Sequence, residues 1–303
     1  FNFFKEGWEE YEWRLKSKTS SSRFILKTKK PKWVPKKKGR VLLLKEQGLA
    51  DQLQFLSLIP DLLDHVDKII ILVDQRLIPL LKRSLPDSIK IISEESSLND
   101  KEYDYQLPLG SLPKYLRPTL KHFETSKPLN LVSNKEKSDE IRARLINKKY
   151  KKIVGISWKS KSTNSSFLKS NIELEQLITG IYTPNIRFVN LQYGNVKEEI
   201  NKIKVKLGIE ILEIDKLDIF NDIDGLSSLI DACDEIVTIE NFTEVLAGSL
   251  GASTKVIVPR NCIWLNGFNN KINYWYPSIS IFRQENNNEW VKPLNEIRKE
   301  ILQ

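Results

Sequence analysis

The stretch that most constrains this chain runs from residue 235 to 258. Glu235-Ile236-Val237-Thr238-Ile239 is short, apolar and β-branched, and Lys255-Val256-Ile257-Val258 is of the same kind. Between them, residues 240–251 have the length and the Leu, Val and Ala content of a crossover helix, with glycines at its end. Two parallel strands need such a crossover. An open parallel sheet gathers ligands at the carboxyl ends of its strands, which here means Glu240 and Asn241. The helix that follows turns unpaired amides and partial positive charge toward that place, a setting that favours a diphosphate. A plain structural βαβ unit without a ligand has the same pattern.

The same alternation fills the rest of the chain. Strands are expected at 41–44, 68–73, 89–92, 103–107, 153–158, 186–191, 209–212, 235–239, 255–259 and 279–282. Helices are expected at 4–14, 52–63 (with Pro60 as a kink or end), 75–85, 134–147, 196–207, 225–232 and 290–302. A further helix after Ser170 would be closed by a capping box, Glu173 standing three residues on. The reading is an α/β chain in three parts. Residues 1–40 hold a terminal helix and a basic connector, 41–150 a first Rossmann-like domain, and 151–303 a second, the two facing across a cleft.

Composition narrows the class. Hydrophobic residues make up 40% of 303 and charged residues 29%, as in a soluble globular protein. No apolar run approaches the ~20 residues of a membrane helix, and no signal peptide is visible, so the cytoplasm is the expected compartment. The two cysteines have neither disulfide nor metal-ligand spacing, and no metal or resident cofactor is expected. The absence of Met and the start at Phe1 suggest a piece of a longer or processed polypeptide. The formal charge is +9, concentrated at 16–40. That run reads as a solvated connector with Trp33 and Pro35 docking part of it; without a recognisable module, nucleic acid is not an expected partner. His65 and His122 read as ordinary residues, and Trp158, Trp275 and Tyr276 as core.

Taken in order, several motifs resemble a known family. Gly7-Trp8-Glu9-Glu10-Tyr11-Glu12-Trp13-Arg14, Pro31-Lys32-Trp33, and Glu46-Gln47-Gly48-Leu49-Ala50-Asp51-Gln52-Leu53 are similar to the C-terminal region of tetratricopeptide-repeat proteins related to the heptosyltransferases. Leu109-Gly110-Ser111-Leu112-Pro113, Val154-Gly155-Ile156-Ser157-Trp158-Lys159, Leu246-Ala247-Gly248-Ser249-Leu250-Gly251 and Trp275-Tyr276-Pro277 fit as well. The resemblance implies a GT-B fold, a first helix left from an upstream helical repeat, and inverting, metal-independent transfer of a sugar from a nucleotide donor. It also implies that Asp51 matches the proposed base. The chain departs from the pattern at Ala50, at Glu240 and Asn241 where relatives carry Asp-Thr, at Val245 where they carry His, and at Lys169-Ser170 in place of Arg-Ser.

Inverting transfer needs a base at the acceptor hydroxyl and donors on the departing diphosphate. Asp51 serves as that base or caps the helix beginning near Gln52. Glu46, Gln47 and Gly48 lie on the acceptor side, orienting the acceptor or only shaping the turn. The donor set is Ser157, Lys159, Lys161, Lys169, Gln192, Glu240, Asn241, Phe242 and Thr243. The lysines are point charges for phosphate, and Asn241, Phe242 and Thr243 offer backbone amides. Gln192 approaches base or sugar, and Glu240 takes a ribose or sugar hydroxyl, a cation or an amide. The expected function is therefore a glycosyltransferase acting on a glycan or protein hydroxyl, beside upstream repeats. The alternative is a catalytically degenerate GT-B module used for binding or scaffolding.

Overall fold

The computed structural model describes residues 3–16, 28–126, 129–160, 169–267, 271–286 and 289–302. The chain divides into two compact units, Phe1–Val132 and Ser133–Gln303.

Among its described residues the first unit has four parallel strands, β1 (Arg40–Leu44), β2 (Lys68–Leu72), β3 (Lys90–Ile92) and β4 (Tyr105–Pro108), in the order β3-β2-β1-β4. Val41 to Leu44 are wholly buried, as an unbroken apolar run requires in a sheet covered on both faces. The helix expected at 52–63 is two, Leu49–Leu56 and Ile59–Leu63. Pro60 has no N–H to give an interior turn but is tolerated in the first turn of the second helix. The N-terminal helix Phe4–Tyr11 continues as a 3-10 turn, Glu12–Leu15. It lies on this unit through Trp8, whose indole Nε1 donates to the Arg117 carbonyl at 2.8 Å. The connector docks where Trp33 is buried and exchanges backbone hydrogen bonds with β4 through Gln106.

The second unit has six parallel strands among its described residues: β5 (Lys152–Ile156), β6 (Ile186–Asn190), β7 (Ile211–Leu212), β8 (Glu235–Ile239), β9 (Thr254–Val258) and β10 (Ile279–Arg283). Their order is β10-β9-β8-β5-β6-β7. The chain winds outward from β5 in one direction, returns, and winds from β8 in the other. β5 and β8 are therefore neighbours, with Ile156 opposite Val237, and the crevice beyond their carboxyl ends is the switch point of a doubly wound sheet. Trp158, Phe188, Val237, Ile257 and Phe282 belong to one core with the covering helices Leu174–Ile181 and Val291–Ile301. Trp275 and Tyr276 are buried as well. At the end of the helix Phe242–Ser249, Gly251 takes the left-handed conformation (φ 71°) that turns the chain toward β9.

The boundary falls at Val132 and Ser133, so the expected break at 150 is corrected. The charged helix Lys135–Leu145 packs on the second unit through buried Ile141 and Leu145. Ser133 Oγ donates to Asp231 (2.7 Å), and Arg142 donates to the Ala232 carbonyl (2.8 Å) and to Asp234 (2.6 Å).

Candidate functional site

At the switch point of the second unit the side chains converge. Gln192, just beyond β6, accepts at its Oε1 from Ser157 Oγ (3.1 Å), the Trp158 amide (2.9 Å) and the Lys159 amide (2.7 Å). Asn241 Nδ2 donates to Ser157 Oγ at 2.7 Å. Ser157, Lys159, Gln192 and Asn241 are thus one hydrogen-bonded group, in which Lys159 Nζ pairs with Glu199 (2.6 Å). Glu199 also accepts from the Trp158 indole at 3.0 Å.

The amino end of the helix Phe242–Ser249 differs from expectation. Asn241 is its N-cap and accepts from the amides of Thr243 (2.9 Å) and Glu244 (3.3 Å). Asparagine is among the best capping residues, and here it consumes amides that an anion would otherwise take. The Thr243 amide, expected to face an anion, is held by this cap; its residue is buried, while Phe242 is partly exposed.

Glu240, next in the chain to Asn241, lies wholly buried. It accepts from Ser170 Oγ (2.7 Å), the Ile263 amide (3.0 Å) and Asn266 Nδ2 (3.1 Å). Its acceptor capacity is spent on the protein, the amide option among those foreseen. Ser170 does not cap the helix Leu174–Ile181, whose N-cap is Glu173. Burial raises the Glu240 carboxyl above the ordinary range, against the hydrogen bonds it accepts. One turn on, Glu244 is raised well above that range by burial and then by the charge of Glu240. Lys169 is exposed. Lys161 lies outside the described residues.

A cavity of about 400 Å³ opens beside this group at the carboxyl ends of β6 and β7. Asn190, Gln192, Glu213 and Asp218 supply its polar wall, and Ile214, Leu217 and Phe220 its apolar one. Asn190 Nδ2 donates to Glu213 at 3.3 Å. Of these lining residues the sequence reading named Gln192 and missed Asn190 and Glu213. Their signal was a polar residue closing an apolar strand, Asn190 after Val189 and Glu213 after Leu212.

In the first unit, Asp51 is not an N-cap. The helix starts at Leu49, so Asp51 is its third residue, and its Oδ2 accepts from the Gly48 amide at 3.1 Å. Burial raises its carboxyl above the usual range and Glu46 adds to this, while the Gly48 bond and Arg14 work the other way. Glu46 is buried, with its oxygens held by Arg14 and the Gly110 amide. Gln47 is partly exposed and Gly48 exposed. His65 and His122 are exposed. Among the described residues no three His, Cys, Asp or Glu side chains lie close enough to hold a metal ion, and no helix is long and apolar enough to cross a membrane.

The chain carries a doubly wound unit and a smaller parallel one, and solved GT-B structures match it. Escherichia coli ADP-heptose lipopolysaccharide heptosyltransferase II superposes with a TM-score of 0.61 at 11% identity, over 87% of this chain and 98% of that one. A family 9 glycosyl transferase from Veillonella parvula gives 0.56 at 8%, over 87% and 95%. E. coli heptosyltransferase WaaC with ADP gives 0.52 at 11%, over 87% and 99%. These likenesses show the GT-B fold. In sequence, the chain is 28% identical over 301 residues to protein FlbA of Caulobacter vibrioides, a match to 94% of this chain. The chain spans about half the length of that relative. No protein-family model matches it.

Proposed function

We propose that the chain is an inverting glycosyltransferase. The second unit takes a nucleoside diphosphate sugar, and Asp51 in the first is the base for an acceptor hydroxyl on a glycan or protein. The observation that carries this reading is the cavity beside Gln192. Its volume is in the range of small-molecule sites, and it combines an apolar wall for a base with a carboxylate, Glu213, for ribose hydroxyls. It adjoins the switch point, where a doubly wound sheet binds nucleotides.

In this reading the diphosphate extends from the cavity toward Ser157, Lys159 and the amino end of the helix Phe242–Ser249. Lys159 exchanges Glu199 for phosphate, and the Asn241 cap releases the amides of Thr243 and Glu244. Lys161 and Lys169 add positive charge. The acceptor oxygen attacks the anomeric carbon from the face opposite the diphosphate. As that bond forms, the bond to the diphosphate oxygen breaks and its electron pair leaves with the diphosphate. Asp51 takes the hydroxyl proton. A carboxyl raised above its ordinary range suits a base, because proton affinity near the working pH favours transfer. No resident metal takes part. The compartment is the cytoplasm, and the helix Phe4–Tyr11 is the tail of an upstream repeat array.

A second reading is favoured by the occupied helix terminus and the spent Glu240: a degenerate module that binds without transferring. One experiment separates the two. ADP, UDP, GDP and CDP, each free and sugar-linked, are screened by thermal shift. Ligand at 100 times its dissociation constant stabilises by about 2.7 kcal/mol. Transfer is then assayed with the nucleotide that binds. Binding, with transfer lost in Asp51→Asn, supports the enzyme. Binding without transfer supports the degenerate module. No shift with any nucleotide at millimolar concentration removes both the donor site and the enzyme.

A further inference from the structure

The turn that carries Asp51 is held by the N-terminal segment. β1 and β4 are neighbours at the point where the order of the first sheet reverses, and Glu46 and Gly110 follow them there. Arg14 reaches this point from the 3-10 turn Glu12–Leu15. Its Nε donates to Glu46 Oε2 at 2.9 Å and its Nη2 to Oε1 at 2.7 Å, a bidentate pair with side chains 11% and 2% exposed. The Gly110 amide donates to the same carboxylate at 2.6 Å. A Cβ at Gly110 would stand 2.6 Å from Glu46 Oε1 and 2.9 Å from Arg14 Nη2, so the glycine leaves the space this pair fills. Arg14 is steadied in turn by Glu12 (2.9 Å) and Ser111 Oγ (3.0 Å).

The next two residues of the turn are also tied. Gln47 is left-handed (φ 59°), uncommon for a residue with a side chain, and its Nε2 donates to Tyr11 Oη at 2.7 Å. The Gly48 amide is held by Asp51 itself. A buried ion pair adds little net stability over apolar side chains of the same volume, so its use here fixes a geometry.

We propose that Arg14 and Tyr11 are positioning residues for Asp51, clamping the turn 46–48 and so setting where its carboxylate points and which charges it meets. The proposal rests on the reading of Asp51 as base. It places part of the active-site scaffold in the segment preceding the basic connector. Among the described residues, the charged and titratable groups around Asp51 are Glu46 on its own turn and Arg14 and Tyr11 on the N-terminal segment. The negative Glu46 lifts the Asp51 carboxyl and Arg14 offsets that lift.

The test is NMR titration of the Asp51 carboxyl carbon in the whole chain, the signal being assigned through Asp51→Asn. Arg14→Gln leaves Glu46 uncompensated and shifts the Asp51 midpoint upward. Glu46→Gln shifts it downward, and Arg14→Lys, which keeps the charge but not the fork, returns it toward the wild-type value. Amide exchange at Gly110 quickens in Arg14→Gln and stays quick in Arg14→Lys. Opposite shifts in the two glutamine variants, which general loosening of the fold would not produce, support the clamp. An unmoved midpoint in folded Arg14→Gln overturns it. Should Arg14→Gln not fold, Glu46→Gln decides alone: a downward shift supports the clamp, and an unmoved midpoint overturns it. No donor is present in these samples. Transfer retained in Asp51→Asn would sink the base assignment separately.

Discussion

Replacing Asn241 by alanine tests how the second unit keeps its helix terminus closed. The Asn241 side chain accepts from the Thr243 and Glu244 amides, accepts from Thr238 Oγ1 at 3.1 Å, and donates to Ser157. Losing an asparagine cap costs about 1 kcal/mol. Losing the buried bond to Ser157 costs about 1 kcal/mol more, with a further fraction for Thr238. The expected destabilisation is about 2–3 kcal/mol. For a unit of this size each kcal/mol lowers the melting temperature by ~2–4 °C, so calorimetry should show the second unit's transition lower by roughly 5–10 °C. With a nucleoside diphosphate added, the variant should recover more than the wild type gains, since its freed amides meet phosphate without first losing a cap. A destabilisation below about 0.5 kcal/mol would refute the capping argument. Equal nucleotide increments in the two proteins would refute competition between cap and anion.

The buried Glu240 and Glu244 make the second unit sensitive to pH. Carboxyls raised in the folded state bind protons that the unfolded chain has released, so stability is greatest below the ordinary value of 4.5 and falls as pH rises through the folded value. Glu244→Gln should flatten that decline and raise the melting temperature at neutral pH, as followed by calorimetry across a pH series; an unchanged slope would contradict it. Gly248→Ala would place a Cβ 2.5 Å from Tyr276 Cγ, within a ring that is 3% exposed. It should cost about 1–3 kcal/mol in denaturant unfolding, and a neutral substitution would show that the ring can move.

Periodicity made the strands legible, because each buried parallel strand is an apolar run of the right length between turn residues. The switch-point residues Ser157, Gln192 and Asn241 were legible for a related reason: each follows a strand closely. What could not be read was the partner of each side chain. Asn241 was taken as a source of amides, but an asparagine before a helix serves that helix first. Glu240 finds Ser170 and Asn266, and Glu46 finds Arg14, across distances in the chain that no local rule spans. The reading of Asp51 as a cap was three residues off, because the helix begins at Leu49 with Gly48 as its N-cap, where sequence shows no sharp start signal. The break at 150 followed a basic joint, yet apolar Ile141 and Leu145, spaced by one helical turn, decide which unit owns the helix before it.

That ownership bears on how the molecule can be divided. Asp234 meets Arg142 with one oxygen and the Ile153 amide, at the start of β5, with the other. Arg187, on β6, donates to the Leu145 carbonyl at 2.6 Å. A fragment cut at 151 would bare the apolar strip under Ile141 and Leu145 and strip a buckle from two adjoining strands. One begun at 133 would keep both, and is the piece with a prospect of standing alone.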